Sequence, residues 1–345
     1  LSASAQWLLR FMDSFLVIGS GSAGRRHALC LRYLYPTSRI SIVKRSVSYQ
    51  PLDAIKDANI SVLTTINEGL QMRPDFTVVA SPSPFHPEDL EQLSKSCKSF
   101  LLEKPIAAKS QDGSAIQALV ESRGLRVTVG YHLRFSDTPL ALVLAMSALA
   151  PATPTSISLS YGQHLRHWRP GIAPEQSVTA VKELGGGVLR ELSHEIDAVS
   201  YLLGDPTVAH SAFLHFSDAP TDGRVETQAD FILSRSTIDA RLHLDMTTDV
   251  PYRHWDITYP TLTLRADLLR GSVTRIPIEG PEETIFVADP GERDRAARAL
   301  LNFAVTASGN SQVGACEVAQ GLRILNTIEA IEKSAMHGKP VSIEE

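Results

Sequence analysis

A lysine directly after a predicted strand is the first residue that could do chemistry. Lys104 lies in Glu103-Lys104-Pro105 and follows the apolar run 99–102. Ligands of open α/β sheets bind at the carboxyl ends of the strands, where an ammonium group can stabilise a developing alkoxide or polarise a carbonyl. The same side chain could instead bind a phosphate or remain in water. Lys104 is therefore a candidate catalytic residue with two simpler interpretations beside it.

A histidine after three consecutive glycines is the second candidate. The glycines at 185–187 resist helix formation, whereas residues 188–203 favour it and Gly204 is a natural C-cap. His194 lies on the polar side of this predicted helix, and histidine is the side chain best suited to proton transfer near neutral pH. Glu191 comes three residues earlier, so the two side chains can touch on a continuous helix. A solvated helix face would explain the same pattern.

A glycine-rich turn near the start of the chain predicts dinucleotide binding. Gly19-Ser20-Gly21-Ser22-Ala23-Gly24 follows the apolar run 15–18 and precedes helix-like sequence. In such a turn Gly19 permits a tight bend, Gly21 lets a pyrophosphate approach the backbone, and Gly24 lets the helix pack closely on the strand. The free N–H groups at the helix start then bind the phosphates. The alternative is a glycine turn with a purely structural role.

The residues after the second predicted strand favour NADP(H) over NAD(H). An acidic residue at this place typically binds the adenosine ribose hydroxyls of NAD. Here Lys44-Arg45-Ser46 follows the strand at 40–43. Arg45 and Ser46 can donate charge-assisted hydrogen bonds to a 2′-phosphate. A basic surface turn is the plainer interpretation.

The segment 161–171 is dense in groups that recognise polar ligands. It leaves an alternating strand and includes His164, Arg166, Trp168 and Arg169. Arginine binds carboxylate or phosphate, and tryptophan offers a flat face to a sugar or base. Substrate binding and an interface with another subunit are equally good interpretations, and the two roles can coincide.

Composition excludes several other classes of protein. The chain has 345 residues, 33 Lys plus Arg and 38 Asp plus Glu, hence a net charge of −5, which argues against a general nucleic-acid binder. Its three cysteines are far apart and show no zinc spacing, so we expect no metal site and a reducing, cytoplasmic location. No apolar run reaches transmembrane length, so no membrane partner is expected.

The order of the predicted elements indicates two domains. Strands alternate with helices over residues 15–134, which predicts a parallel, doubly wound Rossmann sheet. Residues 135–316 contain period-two runs and predict an α+β domain with a mainly antiparallel sheet. A C-terminal helix and tail, 317–345, should pack back on the core. Residues 1–14 are predicted to be a leader or tag-like segment.

Together these stretches resemble the Gfo/Idh/MocA oxidoreductase family, and the resemblance covers nearly the whole chain after residue 14. The motifs that carry it are GSGSAGRRH (19–27), ASPSPFH (80–86), EKP (103–105), GYHLRF (130–135) and GGGVLRELSHEID (185–197).

The resemblance implies a Rossmann domain followed by an open-faced sheet domain, with the active site between them. It implies hydride transfer between a nicotinamide and a secondary hydroxyl or carbonyl of a sugar, sugar acid or nucleotide sugar. Lys104 would bind and polarise the reacting oxygen, and His194 would be the acid/base. In the mechanism that we expect, Glu191 would orient His194 or bind a neighbouring hydroxyl. Pro105 would follow a cis peptide bond. Relatives often associate through the open sheet face, so a homo-oligomer, dimer or tetramer, is expected.

The resemblance also implies further site residues. Cofactor contacts would come from Ser81, Pro82, His86, Glu103 and Lys104. The candidate substrate-binding residues are Tyr131, Arg134, His164, Arg166, Trp168, Arg169 and Arg190, and their basic character suggests an anionic substrate.

The sequence departs from the family pattern beside His194. Relatives commonly carry an Asp four residues before the histidine, and here that position holds Arg190. Either Glu191 replaces the Asp through a local shift, or the carboxylate's role has been lost. Two rival functions therefore stay open. One is a dinucleotide-binding regulator or subunit without turnover. The other is an enzyme that uses the nicotinamide transiently for elimination or hydrolysis of a sugar.

Overall fold

The computed structural model describes residues 12–44, 53–168, 173, 177–218, 221, 223–306 and 314–344. Three predicted site residues, Arg45, Ser46 and Arg169, lie outside the described residues, as do residues 1–11 of the predicted leader.

The first half of the chain forms a parallel sheet with helices on both faces, as the sequence predicts. Its strands are β1 (Ser14–Ile18), β2 (Arg39–Val43), β3 (Ser61–Leu63), β4 (Phe76–Val79), β5 (Ser99–Leu102) and β6 (Arg126–Val129). Its helices are α1 (Ser22–Leu34), α2 (Asp53–Asp57), α3 (Ile66–Gln71), α4 (His86–Leu93) and α5 (Ser110–Arg123).

The order of these strands is β3-β2-β1-β4-β5-β6. The strand order therefore reverses between β1 and β4, which is where ligands bind in doubly wound sheets. The central strands β1, β4 and β5 are buried along their whole length, which explains why they appear in the sequence as continuous apolar runs.

The described residues of the second half form a mixed sheet of nine strands. These are β7 (Ser156–Gly162), β8 (Val208–Phe216), β9 (Glu226–Arg235), β10 (Ile238–Asp245), β11 (Tyr252–Thr258), β12 (Leu262–Asp267), β13 (Ser272–Pro277), β14 (Glu283–Val287) and β15 (Val341–Ser342). Strands β7 and β10 are parallel, and the other described neighbours are antiparallel.

Five further helices accompany this sheet: α6 (Asp137–Ala148), α7 (Val188–Glu191), α8 (Ser193–Leu203), α9 (Glu292–Thr306) and α10 (Val318–His337). Helix α9 falls inside the range predicted for the second domain. Its buried Leu300 and Leu301 nevertheless share a core cluster with Phe15 and Leu31 of the first domain. The chain thus returns to the Rossmann sheet before α10 begins.

The continuous helix predicted over 188–203 is wrong. It is broken at Leu192, whose backbone (φ −95°, ψ 24°) ends α7 and begins α8. The polar side of α8 is also not solvated, because every residue from Ser193 to Val199 is buried. Polar side chains buried on a short helix need partners, and those partners form the site described below.

Candidate active site

The glycine-rich turn has the geometry of a phosphate-binding turn. Gly19 has φ +97°, and a Cβ on Gly24 would collide with the Gly19 carbonyl oxygen, so glycine is required at both positions. A Cβ on Gly21 would meet open space. Gly21 is the N-cap of α1, and no side chain caps the helix there. The first N–H groups of α1 therefore remain available to a pyrophosphate.

The turn after β4 is held by two buried side chains. The Ser81 hydroxyl donates to the Asp89 carboxylate at 2.6 Å. The ring nitrogens of His86 lie 2.8 Å from the Ser81 carbonyl oxygen and 3.1 Å from that of Ile106. These contacts tie the turn after β4 to the segment after β5. His86 is buried, so it shapes the predicted cofactor edge from beneath, and half-exposed Pro82 lies beside Ser81 at that edge.

Glu103 is held ionised beneath the same edge. Its Oε1 lies 2.5 Å from Nε2 of His27 on α1, and its Oε2 accepts from the Lys104 backbone N–H at 3.2 Å. Burial alone would raise the pKa of Glu103, but the hydrogen bond and charge of His27 bring it down to about 2. Glu103 thus links α1 to the end of β5. The Lys104–Pro105 peptide bond is cis, as the family resemblance implies.

Lys104 from the Rossmann domain reaches the segment that carries His194. Its Nζ donates to the Glu191 main-chain oxygen at 2.6 Å. Burial is the main reason why the pKa of His194 lies well below its usual value, and the positive charges of His132 and Lys104 add to the effect. The structure therefore brings Lys104 and His194 into one site, although 90 residues separate them in sequence.

His132 is a site residue that sequence reasoning missed. Its ring meets the His194 ring edge-to-face, with centroids 4.6 Å apart. Burial holds the pKa of His132 well below its usual value, with Arg26 as the next cause. The Tyr131 ring also meets the His194 ring edge-to-face, with centroids 5.5 Å apart, and the Tyr131 hydroxyl lies 3.4 Å from Ser193 Oγ. The position of His132 within the GYHLRF motif, directly after a parallel strand, was the available signal.

A buried ion pair next to His194 was also missed. Arg253 on β11 donates from Nε to Glu195 Oε1 at 2.6 Å, and its guanidinium carbon lies 4.5 Å from the centre of the Tyr161 ring. Glu195 is fully buried. Arg253 Nη2 and Glu195 Oε2 are both buried and have no hydrogen-bond partner within the described residues. No local sequence signal pairs Arg253 with Glu195, because they lie 58 residues apart.

Comparison with known proteins supports the family resemblance over the first half of the chain. Residues 14–131 match the model of the Gfo/Idh/MocA oxidoreductase family, described by its NAD-binding Rossmann fold. This match covers the Rossmann sheet, β1 to β6, and not the nine-stranded sheet. A curated relative from Comamonas testosteroni, 1-carboxy-3-chloro-3,4-dihydroxycyclohexa-1,5-diene dehydrogenase, is 31% identical over 157 residues. That match spans 44% of this chain and 38% of the relative.

Solved structures share the fold over almost the whole chain. A levoglucosan dehydrogenase in complex with NADH has a TM-score of 0.80 at 16% identity, covering 96% of this chain and 99% of that one. An aldose-aldose oxidoreductase from Caulobacter crescentus has a TM-score of 0.77 at 20% identity, covering 95% and 98%. UDP-N-acetylglucosamine 3-dehydrogenase from Acidithiobacillus ferrooxidans has a TM-score of 0.74 at 16% identity, covering 93% and 96%. At these identities the likeness establishes the fold.

The departure from the family pattern at residue 190 has a structural explanation. Arg190 forms an ion pair with Glu332 on α10 at 2.5 Å and donates to the Ala108 carbonyl oxygen at 3.1 Å. Its guanidinium group thus ties α7 to two other segments, which disfavours the predicted substrate contact. Glu191 presents its main-chain oxygen to Lys104. Because the helix breaks at Leu192, the predicted helical pairing of the Glu191 and His194 side chains does not apply, and His194 Nδ1 has no partner within the described residues.

The glycines before α7 are held by packing. Gly185 and Gly187 have φ +78° and +115°, and a Cβ on Gly187 would collide with the Glu226 carboxylate. That carboxylate accepts from the Leu189 backbone N–H at 3.2 Å. Glu226 thereby caps α7, and the turn that presents Glu191 to Lys104 is rigidly placed.

Arg134 is likewise engaged within the protein. It makes a two-pronged ion pair with Asp197 on α8, and the shortest N···O distance is 2.7 Å. The side chains are 4% and 2% exposed. Arg134 also contacts Gln320 of α10 at 3.2 Å. These contacts hold the GYHLRF segment against α8, so a structural role fits Arg134 better than the predicted substrate contact.

The loop after β7 was predicted to bind substrate, and its described part is well anchored. Trp168 stacks on Tyr161 with centroids 6.2 Å apart and donates from Nε1 to the Gln163 carbonyl oxygen. His164 Nδ1 accepts from the Arg166 backbone N–H at 3.2 Å. The half-exposed Arg166 pairs with Asp249 at 2.5 Å. The stack brings Trp168 to the same tyrosine that Arg253 covers, whereas Arg166 is directed to an exposed partner.

Three further observations concern the described residues. Within 12–44, 53–168, 173, 177–218, 221, 223–306 and 314–344, no cluster of His, Cys, Asp or Glu could hold a metal ion. Over the same residues no helix is long and apolar enough to cross a membrane. All three cysteines are buried free thiols.

Proposed function

We propose that this protein is an NAD(P)-dependent dehydrogenase or reductase that acts on a secondary hydroxyl or carbonyl of a cyclic, sugar-like substrate. One observation carries the proposal: the hydrogen bond from Lys104 Nζ to the Glu191 main-chain oxygen places an ammonium group at the start of the helix that carries His194. Oxidation of a hydroxyl needs a group that takes up the proton and a group that stabilises the developing charge on oxygen, and an imidazole and an ammonium group can perform these two tasks.

The chain's own residues would divide the work as follows. Hydride transfer is the chemistry that a nicotinamide would supply when bound beside these residues. Because burial keeps the His194 imidazole neutral, a ring nitrogen can accept the hydroxyl proton. Lys104 would stabilise the negative charge that develops on the substrate oxygen. Glu191 would act through its main-chain oxygen by orienting the Lys104 ammonium group.

We infer a preference for NADP(H). β2 ends next to the glycine turn, since the Gly19 N–H donates to the Val43 carbonyl oxygen at 3.0 Å. Lys44-Arg45-Ser46 follows at once. No carboxylate occupies this place to bind the ribose hydroxyls of NAD, whereas an arginine and a serine suit a 2′-phosphate.

Names of relatives support the substrate class. The Comamonas relative is named for a ring that carries a carboxyl and two hydroxyl groups. Two similar structures are named for levoglucosan and a nucleotide-linked amino sugar. A hydroxyl on a six-membered ring is the feature we carry over to this chain.

The test is a panel of cyclic polyols, aldoses and hexuronic acids, each incubated with NAD⁺ or NADP⁺ while the absorbance of the reduced nicotinamide is followed. We expect turnover of at least one member, with a higher kcat/KM for NADP⁺ than for NAD⁺. A protein that binds the cofactor tightly but oxidises and reduces no member would be a regulator or subunit instead. Sugar consumption without net NADPH, with cofactor retained through purification, would indicate transient use of the nicotinamide.

A further inference from the structure

Three arginines gather around the histidine pair from elements far apart in sequence. Arg26 comes from α1, Arg253 from β11 and Arg293 from α9. The charges of all three contribute, after burial, to the low pKa of His132. Arg26 and Arg253 also help burial to lower the pKa of Arg293. The packing of the elements agrees with this, since α9 packs against α1 and against residues 132–135, and Arg253 pairs with Glu195 of α8. The three arginines therefore come from elements that surround the histidine pair.

Acidic side chains neutralise only part of the positive charge of these arginines. Glu195 pairs with Arg253, but one buried nitrogen of that guanidinium, Nη2, has no partner within the described residues. Nε of Arg26 is also buried and has no hydrogen-bond partner within the described residues. Buried N–H groups of a cation cost free energy when they lack an acceptor. Two such groups from different elements indicate a missing anionic partner.

We propose that Arg26, Arg253 and Arg293 form an oxyanion subsite beside His194 that binds a carboxylate or phosphate group of the substrate. This inference rests on the proposed function. It assigns the recognition of an acidic substrate to these arginines, whereas the sequence suggested Arg166 and Arg169. Arg166 is unsuited because it is half-exposed and already paired with Asp249.

The placement of the cluster favours the substrate over the cofactor as the source of the anion. The pyrophosphate has its own donors in the uncapped N–H groups of α1. Arg253 projects from the second sheet and contacts Glu195, the residue after His194. Its guanidinium also covers Tyr161, whose ring stacks on Trp168. An acid group of a ring substrate held against this stack would meet Arg253 next to the acid/base.

Inorganic phosphate is a direct probe that needs no known substrate. It is titrated by calorimetry into protein saturated with NADPH, so that the cofactor's own phosphate sites are filled. The variants are Arg293→Gln and the doubly neutral Glu195→Gln/Arg253→Gln, which avoids an unpaired buried carboxylate. Arg275→Gln, an exposed arginine on β13 of the same sheet, is the matched control.

We expect saturable phosphate binding that weakens roughly 10-fold or more in both test variants and is unchanged in Arg275→Gln. NADPH affinity should be unchanged in all of them. The inference is overturned if phosphate does not bind to the NADPH-saturated protein, or binds equally to wild type and test variants. Loss of NADPH affinity in the test variants would also overturn it, because the arginines would then hold the cofactor.

A second readout connects the subsite to turnover. Glucuronate is compared with glucose, and galacturonate with galactose. We expect the acid of each active pair to have the lower KM, and Arg293→Gln to raise that KM with little change in kcat. The inference would be contradicted if wild type preferred the uncharged sugar over its acid and Arg293→Gln showed the same preference. Absence of turnover with every sugar, together with phosphate binding as expected, would reject the proposed function and leave the anion subsite standing.

Discussion

Lys104 and Glu191 are joined across the two domains by a hydrogen bond of 2.6 Å from the Lys104 ammonium group to the Glu191 main-chain oxygen. The acceptor is a backbone atom at the end of α7. Only Leu192, where the helix is broken, separates it from α8, which carries His194. The site therefore depends on the position of the backbone at residue 191 as well as on which side chains are present.

Replacing Lys104 with methionine tests its electrostatic role. Met keeps most of the volume but removes the charge that would stabilise an alkoxide, so kcat should fall roughly 100-fold or more. NADPH affinity should stay within a few-fold of wild type. Steady-state kinetics and fluorescence titration with NADPH measure the two quantities. Lys109→Met, at an exposed position on the same connection, is the control. A Lys104→Met enzyme with nearly full kcat would exclude the role.

The pH dependence of oxidation reports on His194. Burial depresses its pKa well below the usual value of 6.5, and the neutral imidazole is the form that accepts a proton. The acidic limb of the kcat/KM profile should therefore lie below pH 6.5. His194→Asn should abolish this limb and lower kcat roughly 100-fold to 10,000-fold, whereas His337→Asn on the exposed end of α10 should change neither. An acidic limb above pH 6.5 would argue against a neutral His194.

The buried pair of His27 and Glu103 should make stability depend on pH. The pKa of Glu103 is about 2 in the folded protein against 4.5 for a free carboxyl. A carboxyl with a depressed pKa stabilises the fold fully above pH 4.5 and loses that contribution as the pH falls toward about 2. At neutral pH, His27→Leu should lower the free energy of unfolding by roughly 3 kcal/mol, because it leaves a buried carboxylate unpaired.

Urea unfolding of wild type and His27→Leu across this pH range measures the effect. The difference in free energy between the two proteins should shrink as the pH falls through the window. The double variant His27→Leu/Glu103→Leu, which removes both charges, should recover part of the lost stability. A difference that stays constant with pH would mean that Glu103 is not the group responsible.

Replacing Arg134 distinguishes a substrate-binding role from a structural one. Arg134→Met would leave Asp197 buried and unpaired, so we expect the free energy of unfolding to fall by roughly 3 kcal/mol. The KM of the remaining folded enzyme should stay close to that of wild type. Arg123→Met removes a more exposed pair with Glu91 and should cost about 1 kcal/mol or less. A normal stability combined with a large rise in KM would restore the substrate-binding interpretation.

Several predictions from the sequence agree with the structure, for local reasons. The apolar runs at 15–18 and 99–102 coincide with β1 and β5 to within one residue. Gly19 and Gly24 are where backbone geometry allows no side chain. A short, fully buried strand requires a run of apolar residues, and a positive φ favours glycine. Both features can therefore be recognised in the sequence without knowledge of the fold. The oligomeric state and the cytoplasmic location stay predictions.

Other features were decided by contacts that sequence spacing does not encode. A helical period predicted one continuous helix over 188–203, but packing against Glu226 and the break at Leu192 divide it. Arg134 and Arg190 resembled substrate ligands because arginine often binds anions, yet Asp197 and Glu332 occupy them.

The amino-acid sequence by itself determined the Rossmann half, its glycine turn, and the choice of Lys104 and His194 as candidates. These follow from patterns within about 15 neighbouring residues, where backbone sterics and burial act. Only the tertiary structure placed His132 against His194 and paired Arg253 with Glu195. Those contacts join residues 62 and 58 positions apart, and the packing of α8 against β11 and the turn after β6 creates them.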